Sequence, residues 1–142
     1  MRPSHLSIVL ALAVLAAGPA AAQKKEILNP PGTPMTLPFN NGIKIGNQMW
    51  VAGVEGDVSG DIEKETRSAF AKIKAILEAG GMALNDIVAV QVYMVDLNEF
   101  ATMNAVYRAS MPDPKPTRTT VQVARLVGDA RIEITVTAMK TN

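Results

Sequence analysis

The chain has 142 residues, with 14 Lys and Arg, 13 Asp and Glu, one His and no Cys. That length suits one domain with its own core, and near-balanced charge without a basic run argues against binding a phosphate backbone, so no nucleic-acid partner is expected. The absence of Cys removes thiol nucleophiles and disulfides, and with His5 as the only histidine no Cys or His metal site and no serine–histidine pair is expected in a processed chain.

Residues 1–22 read as a secretory signal. Arg2 precedes an uncharged apolar run from Leu6 to Ala17, and the small residues Gly18 to Ala22 stand ahead of Gln23. The run is shorter than the roughly twenty residues a helix needs to cross a bilayer. Cleavage after Ala22 is therefore expected, with export to the periplasm or medium and no membrane contact after removal. The remaining domain, 23–142, then carries thirteen basic and thirteen acidic residues.

Gln23 to Asn40, rich in Pro, Gly and Asn, predicts an extended lead-in with a short strand at Ile27-Leu28. Ile43 to Ile45 and Gln48 to Ala52 flank Gly46-Asn47, the pattern of a hairpin. Gly53 to Gly60 is a glycine-rich loop whose Glu55 and Asp57 fit either a cation site or a solvated turn. Asp61 is the expected N-cap of a helix in which Ile62, Thr66, Ala69, Phe70, Ile73, Ile76 and Leu77 share one face, and Gly80-Gly81 ends it. Ile87 to Met94, almost continuously apolar, predicts a central strand. Asp96 and Glu99 suggest a capping-box start to a second helix, with Phe100, Met103 and Tyr107 facing inward, and the three prolines between Met111 and Pro116 form a loop.

The closing segments, Pro116 to Leu126 and Arg131 to Ala138, alternate apolar and polar residues and read as half-buried strands joined by a short loop that suggests a hairpin. If Val121 and Val123 share the core side with Ile132, Ile134 and Val136, then Arg118, Thr120, Gln122, Glu133, Thr135 and Thr137 share the other. A guanidinium and a carboxylate would then look out from one sheet face. Two helices cannot cover both sides of such a sheet, so they should pack on one side only. The other side, to which the second hairpin strand adds either Met49 and Val51 or Trp50 and Ala52, is too apolar to be wholly solvated, and a homo-oligomer would bury it.

The run Pro116-Thr-Arg-Thr-Thr-Val-Gln-Val-Ala-Arg-Leu, followed by Asp129-Ala-Arg-Ile-Glu-Ile, resembles the closing signature of the reactive intermediate deaminase (RidA) family. Gly46 to Gly53, Ala71 to Gly81, Asn85 to Phe100 and Asn104 to Tyr107 resemble further segments of that family in the same order, so the likeness spans about Pro30 to Met139.

That resemblance implies an α+β, Bacillus chorismate mutase-like fold, a mixed six-stranded sheet with two helices on one face, assembled as a homotrimer whose uncovered faces close a central barrel. It places the last strand between the third and fourth, against the hairpin suggested by the loop. The implied activity is hydrolysis of reactive enamines and imines derived from amino acids to 2-oxo acids and ammonia, with a small imino or enamino acid as the partner and no cofactor. By motif position Arg118 would clamp the substrate carboxylate, for which a planar two-pronged donor is suited. Glu133 would hold or activate the attacking water. The backbone at Gly53 and the side chains of Asn104, Thr120 and Phe39 would line the pocket. Four positions depart from the family pattern: Phe39 stands where Tyr is frequent, Ala52 and Val54 replace the Ser and Gln of Ser-Gly-Gln, and Thr120 replaces Cys, and the loops before the first helix and before Pro116 are shorter.

Plainer readings stand beside these. Arg118 alone is a solvated strand arginine or an ion-pair member, Glu133 can pair with Arg125 or Arg131, Asn104 can pack or cap, Thr120 and Phe39 can line an interface, and Gly53 can serve backbone geometry. A non-catalytic carboxylate-binding or chaperone-like member of the same family is the alternative to the hydrolase. The hydrolytic reading as the sequence supports it requires both Arg118 and Glu133 to face away from the helices.

Overall fold

A computed structural model describes residues 22–34 and 36–141. The signal segment expected over residues 1–22 falls almost entirely outside the described residues. The elements are β1 (Lys25–Leu28), β2 (Gly42–Ile45), β3 (Gln48–Glu55), α1 (Ile62–Ala79), β4 (Ile87–Met94), α2 (Phe100–Ser110), β5 (Thr117–Gln122) and β6 (Ile132–Met139). They build one mixed six-stranded sheet, ordered β1-β2-β3-β6-β4-β5, in which the β4–β5 pair alone is parallel. No helix among the described residues is long and apolar enough to cross a membrane.

The expected hairpin between the last two strands does not form. The parallel pairing of β4 and β5 requires a crossover, which α2 supplies, and β6 instead fills the gap between β3 and β4. This gives β4 a partner on each edge, as its apolar composition requires.

Helix α1 begins where Asp61 Oδ1 accepts from the backbone N–H groups of Glu63 (2.9 Å) and Lys64 (3.2 Å), a cap worth about 1 kcal/mol. It ends in a Schellman arrangement: the N–H of Met82 donates to Leu77 O and that of Gly81 to Glu78 O, with Gly81 at φ +71°, a conformation that favours glycine. Its apolar stripe packs with Met49, Val51, Val90, Val92, Ile134 and Val136 from one side of the sheet, and α2 adds Met103 and Tyr107.

Two polar contacts tie this core to the loops. The carboxylate of Glu65, fully buried, accepts from the N–H groups of Ser59 and Gly60 through Oε1 and of Arg131 through Oε2, which joins the glycine loop to the start of β6. The expected capping box is replaced. Asp96 caps the 3-10 turn Leu97–Glu99 through the N–H of Asn98, while Glu99 reaches across to Arg131 in a two-pronged ion pair of 2.8 and 3.0 Å.

Candidate active site

Register decides which side of the sheet each candidate occupies, because residues paired across strands share a face. Val90 and Val92 are buried beneath the helices, and they pair with Arg118 and Thr120 of β5. Arg118 and Thr120 therefore lie on the helix side, not on the open face expected for them. Val121 pairs with Tyr93, which pairs in turn with Glu133, so Val121 and Glu133 lie on the open face, and Val121 is 40% exposed. The reason is position in the sheet. β5 is an edge strand whose helix side meets only the flank of α2, so that side can carry a guanidinium and a hydroxyl, and its apolar valine turns outward.

The consequence for the site is large. Arg118 and Glu133 are two strands apart and offset by three residues along the register, roughly 10 Å in each direction at ordinary sheet spacings. Their side chains also leave opposite faces, so one small ligand cannot touch both within a single chain.

Arg118 occupies a built environment. Its Nη1 donates to Asn104 Oδ1 at 2.8 Å, and its guanidinium carbon lies 4.3 Å from the ring centre of Tyr107 and 5.6 Å from that of Phe100. Stacking of this kind is worth about 0.5–2 kcal/mol and fixes the plane of the fork. No carboxylate among the described residues pairs with Arg118. The cleft in front of it, about 320 Å³, is lined by Asn104, Tyr107, Arg108, Lys115, Pro116 and Arg118. Tyr107 Oη and Thr120 Oγ1 are buried without a hydrogen-bond partner among the described residues. Burial pushes the Tyr107 phenol above its ordinary range, against the opposing pull of Arg118.

The other candidates gather across the sheet. The register of β3 and β6 slips between Val51 and Val54, and Gly53 sits in this irregular stretch with its Cα against the Glu133 carboxylate, so that a side chain at position 53 would collide with it. Here the glycine allows close approach. Glu55 stands directly opposite Glu133 in the ladder, and its pKa is raised, chiefly by burial and then by the Glu133 charge, with Lys72 opposing. Phe39 and Gly53, together with Glu55 and Lys72, line a cavity of about 650 Å³, and Glu133 also borders a second hollow of about 420 Å³ with Arg125 and Asp129. The cation site considered for Glu55 and Asp57 is not assembled: Asp57 pairs with Lys72 at 2.8 Å.

The six candidates thus divide, Arg118, Asn104 and Thr120 together on the helix side at the β5 edge and Gly53 against Glu133 at the β3–β6 slip, with Phe39 in a cavity that Gly53 borders, that Lys72, Ala75 and Ile76 of α1 also line, and that Glu133 does not reach. Asn104 meets Arg118 directly and orients it. Tyr107, expected only as an inward helix residue, proves to be the floor under Arg118. The signal for its role was the spacing of Asn104, Tyr107 and Arg108 at i, i+3 and i+4, which sets all three on one strip of α2.

Comparison with known proteins defines the class. Residues 33–140 match the family model described as endoribonuclease L-PSP. The chain is 42% identical over 124 residues to a RutC family protein of Pyrococcus horikoshii, covering 82% of this chain and 98% of that one. It is 33% identical over 118 residues to a 2-iminobutanoate/2-iminopropanoate deaminase of Dermatophagoides farinae, covering 78% and 92%. Among solved structures, Escherichia coli TdcF with bound serine matches with a TM-score of 0.73 and 30% identity over 82% of this chain and 99% of that one. The chain belongs to the endoribonuclease L-PSP family, the group that contains the RutC and RidA proteins.

Proposed function

We propose that the protein hydrolyses 2-imino and 2-enamino acids to 2-oxo acids and ammonia, at a pocket that two copies complete. The observation carrying this reading is the Arg118 fork: stacked, oriented by Asn104, without a carboxylate partner among the described residues, and open to a cleft. One contact to Asn104 leaves four N–H donors for a substrate carboxylate. The condition set by the sequence, that both head groups face away from the helices, is not met by Arg118, so the reading takes an altered form, in which a neighbour's Glu133 and Gly53 are brought to the Arg118 cleft by assembly. The exposed Trp50 and Val121 of the open sheet face support burial of that face in a homotrimer.

In this reaction Glu133 takes a proton from water as its oxygen adds to the imine carbon. With the substrate as its protonated imine this gives a neutral carbinolamine. Glu133 returns the proton to nitrogen, the C–N bond breaks as the hydroxyl gives up its own proton to Glu133 or water, and ammonia and a 2-oxo acid leave. A 2-enamino acid enters the same step once its β-carbon has taken a proton. Imines hydrolyse readily in water, so orientation and charge complementarity suffice without a covalent intermediate. The family's endoribonuclease description finds less support here, since the chain has no histidine beyond His5 and balanced charge.

The test generates imino acids with an amino-acid oxidase, traps them as semicarbazones, and compares the parent with Arg118→Ala and Glu133→Gln. The parent alone should accelerate imine loss. Refolding the two variants together should restore about one quarter of parent activity, because half the pockets receive an intact Arg118 and half of those an intact Glu133. No restoration, with both variants folded, would remove the shared pocket. A non-catalytic carboxylate-binding role is the second reading, favoured by Phe39, Ala52 and Val54, which offer no side-chain polar groups. A parent that binds carboxylates through Arg118 without accelerating hydrolysis would establish it. Export is proposed alongside, and fractionation that recovers only full-length cytoplasmic protein would refute it.

A further inference from the structure

The Arg118 cleft carries more positive charge than one carboxylate can balance. Its lining brings together Arg118, Arg108 and Lys115. Lys115 is largely committed, since its ammonium donates to the carbonyl oxygens of Met111 and Arg108 and pairs with Asp113 at 3.3 Å. Arg118 and Arg108 have no carboxylate partner among the described residues. Three cations and one acid leave the cleft with two uncompensated charges, Arg118 in its wall and the exposed Arg108 at its border, and like charges bordering one hollow favour an anion there. The ring of Tyr107 beneath Arg118 also borders this cleft and holds the guanidinium plane in place.

We infer that the Arg118 cleft selects a dianionic substrate, a 2-imino dicarboxylate, whose α-carboxylate meets Arg118 while its second carboxylate is held by Arg108 beside Lys115. This rests on the proposed deaminase reading and specifies the substrate class of that site. The chemistry is unchanged: water adds across C=N, the C–N bond of the carbinolamine breaks, and the products are a 2-oxo dicarboxylate and ammonia. A monocarboxylate would satisfy Arg118 and leave Arg108 unpaired at the same mouth. Arg108 gains its partner only when the substrate has a second acid group, so it acts on specificity.

The experiment compares two imines made in situ by the matching oxidases, one from alanine and one from aspartate, under the parent, Arg108→Gln and Arg108→Lys. The parent should favour the aspartate-derived imine in kcat/KM by about tenfold or more, the size of a charge-assisted pair in a partly enclosed cleft. Arg108→Gln should abolish that preference mainly through KM for the dicarboxylate, and Arg108→Lys should recover part of it. Raising salt should shrink the preference as well, because the contact is near the surface. A parent that handles both imines equally, or a preference that survives Arg108→Gln, overturns the inference while leaving the deaminase standing. Acceleration of neither imine overturns both together.

Discussion

The two half-sites are built by opposite means. Around Arg118 a charged group is held by its neighbours: Asn104 takes one N–H, the rings of Tyr107 and Phe100 set the plane, and all three come from one strip of α2. Around Glu133 room is made by leaving atoms out, through a register slip in β3 and a glycine against the carboxylate. The first construction fixes a guanidinium by contacts; the second sets a carboxylate close against the backbone, in space that a side chain at position 53 would take. Arg118 and Glu133 thus leave opposite faces of the sheet, and the proposed reaction depends on a second copy to bring them to one pocket.

The sharpest way to break this contrast is to fill the space at Gly53. The three atoms nearest a methyl there all belong to the Glu133 side chain, which can swing away, so Gly53→Ala should leave the urea unfolding midpoint almost where it was. Yet the carboxylate would be displaced by an ångström or more, and a displacement of that size costs about a hundredfold in rate. Single-turnover kinetics beside a denaturation curve would check both halves. A variant that keeps its rate would show that Glu133 does not work from this position.

The opposite trade is expected on the Arg118 side. Tyr107 carries a buried hydroxyl without a partner, and leaving such a group unsatisfied costs about 1 kcal/mol or more. Tyr107→Phe keeps the ring under Arg118 and removes that cost, so the protein should gain about 1 kcal/mol in stability while losing affinity for carboxylate ligands. A loss of stability would mean that the hydroxyl has a partner in the assembled protein.

The elements were legible in the sequence because each had its own local signal. The Asp61 cap, the 3.6-residue stripe of α1, the Gly80-Gly81 stop and the apolar run of β4 all lie where spacing and capping chemistry place them. The Gly46-Asn47 hairpin and the strand at Ile27-Leu28 also formed. What the pattern could not show was position in the sheet. Alternation in β5 identifies two faces and cannot say which one meets the helices, and the assumption that the valine side must be the core side reversed Arg118 and Thr120. The short loop before β6 misled for a related reason: proximity in sequence favours a hairpin, whereas the parallel β4–α2–β5 crossover placed β5 at the edge and sent β6 past it. Family resemblance had the strand order right where loop length did not. Glu99 is a third instance, since a capping box is a local bargain and Arg131, thirty-two positions away, offered a stronger one.

The smallest expected effect tests the Glu133 side without touching the proposed chemistry. Glu55 lies opposite Glu133, and its folded pKa is raised by burial and by that neighbouring charge. A carboxyl with a higher pKa folded than unfolded binds more protons in the native state, so stability falls as pH rises between the two values and stays lower above both. Glu55→Gln removes this term. Because Glu55 is only partly buried, the gain at neutral pH should be only a few tenths of a kcal/mol, about the size of an exposed charge interaction, and the variant's urea midpoint should decline less between acidic and neutral pH than the parent's. The effect should also shrink when Glu133→Gln is already present, since the like charge across the ladder is then gone. Full additivity of the two substitutions would show that the carboxylates do not sense each other, and the raised Glu55 pKa would then rest on burial alone.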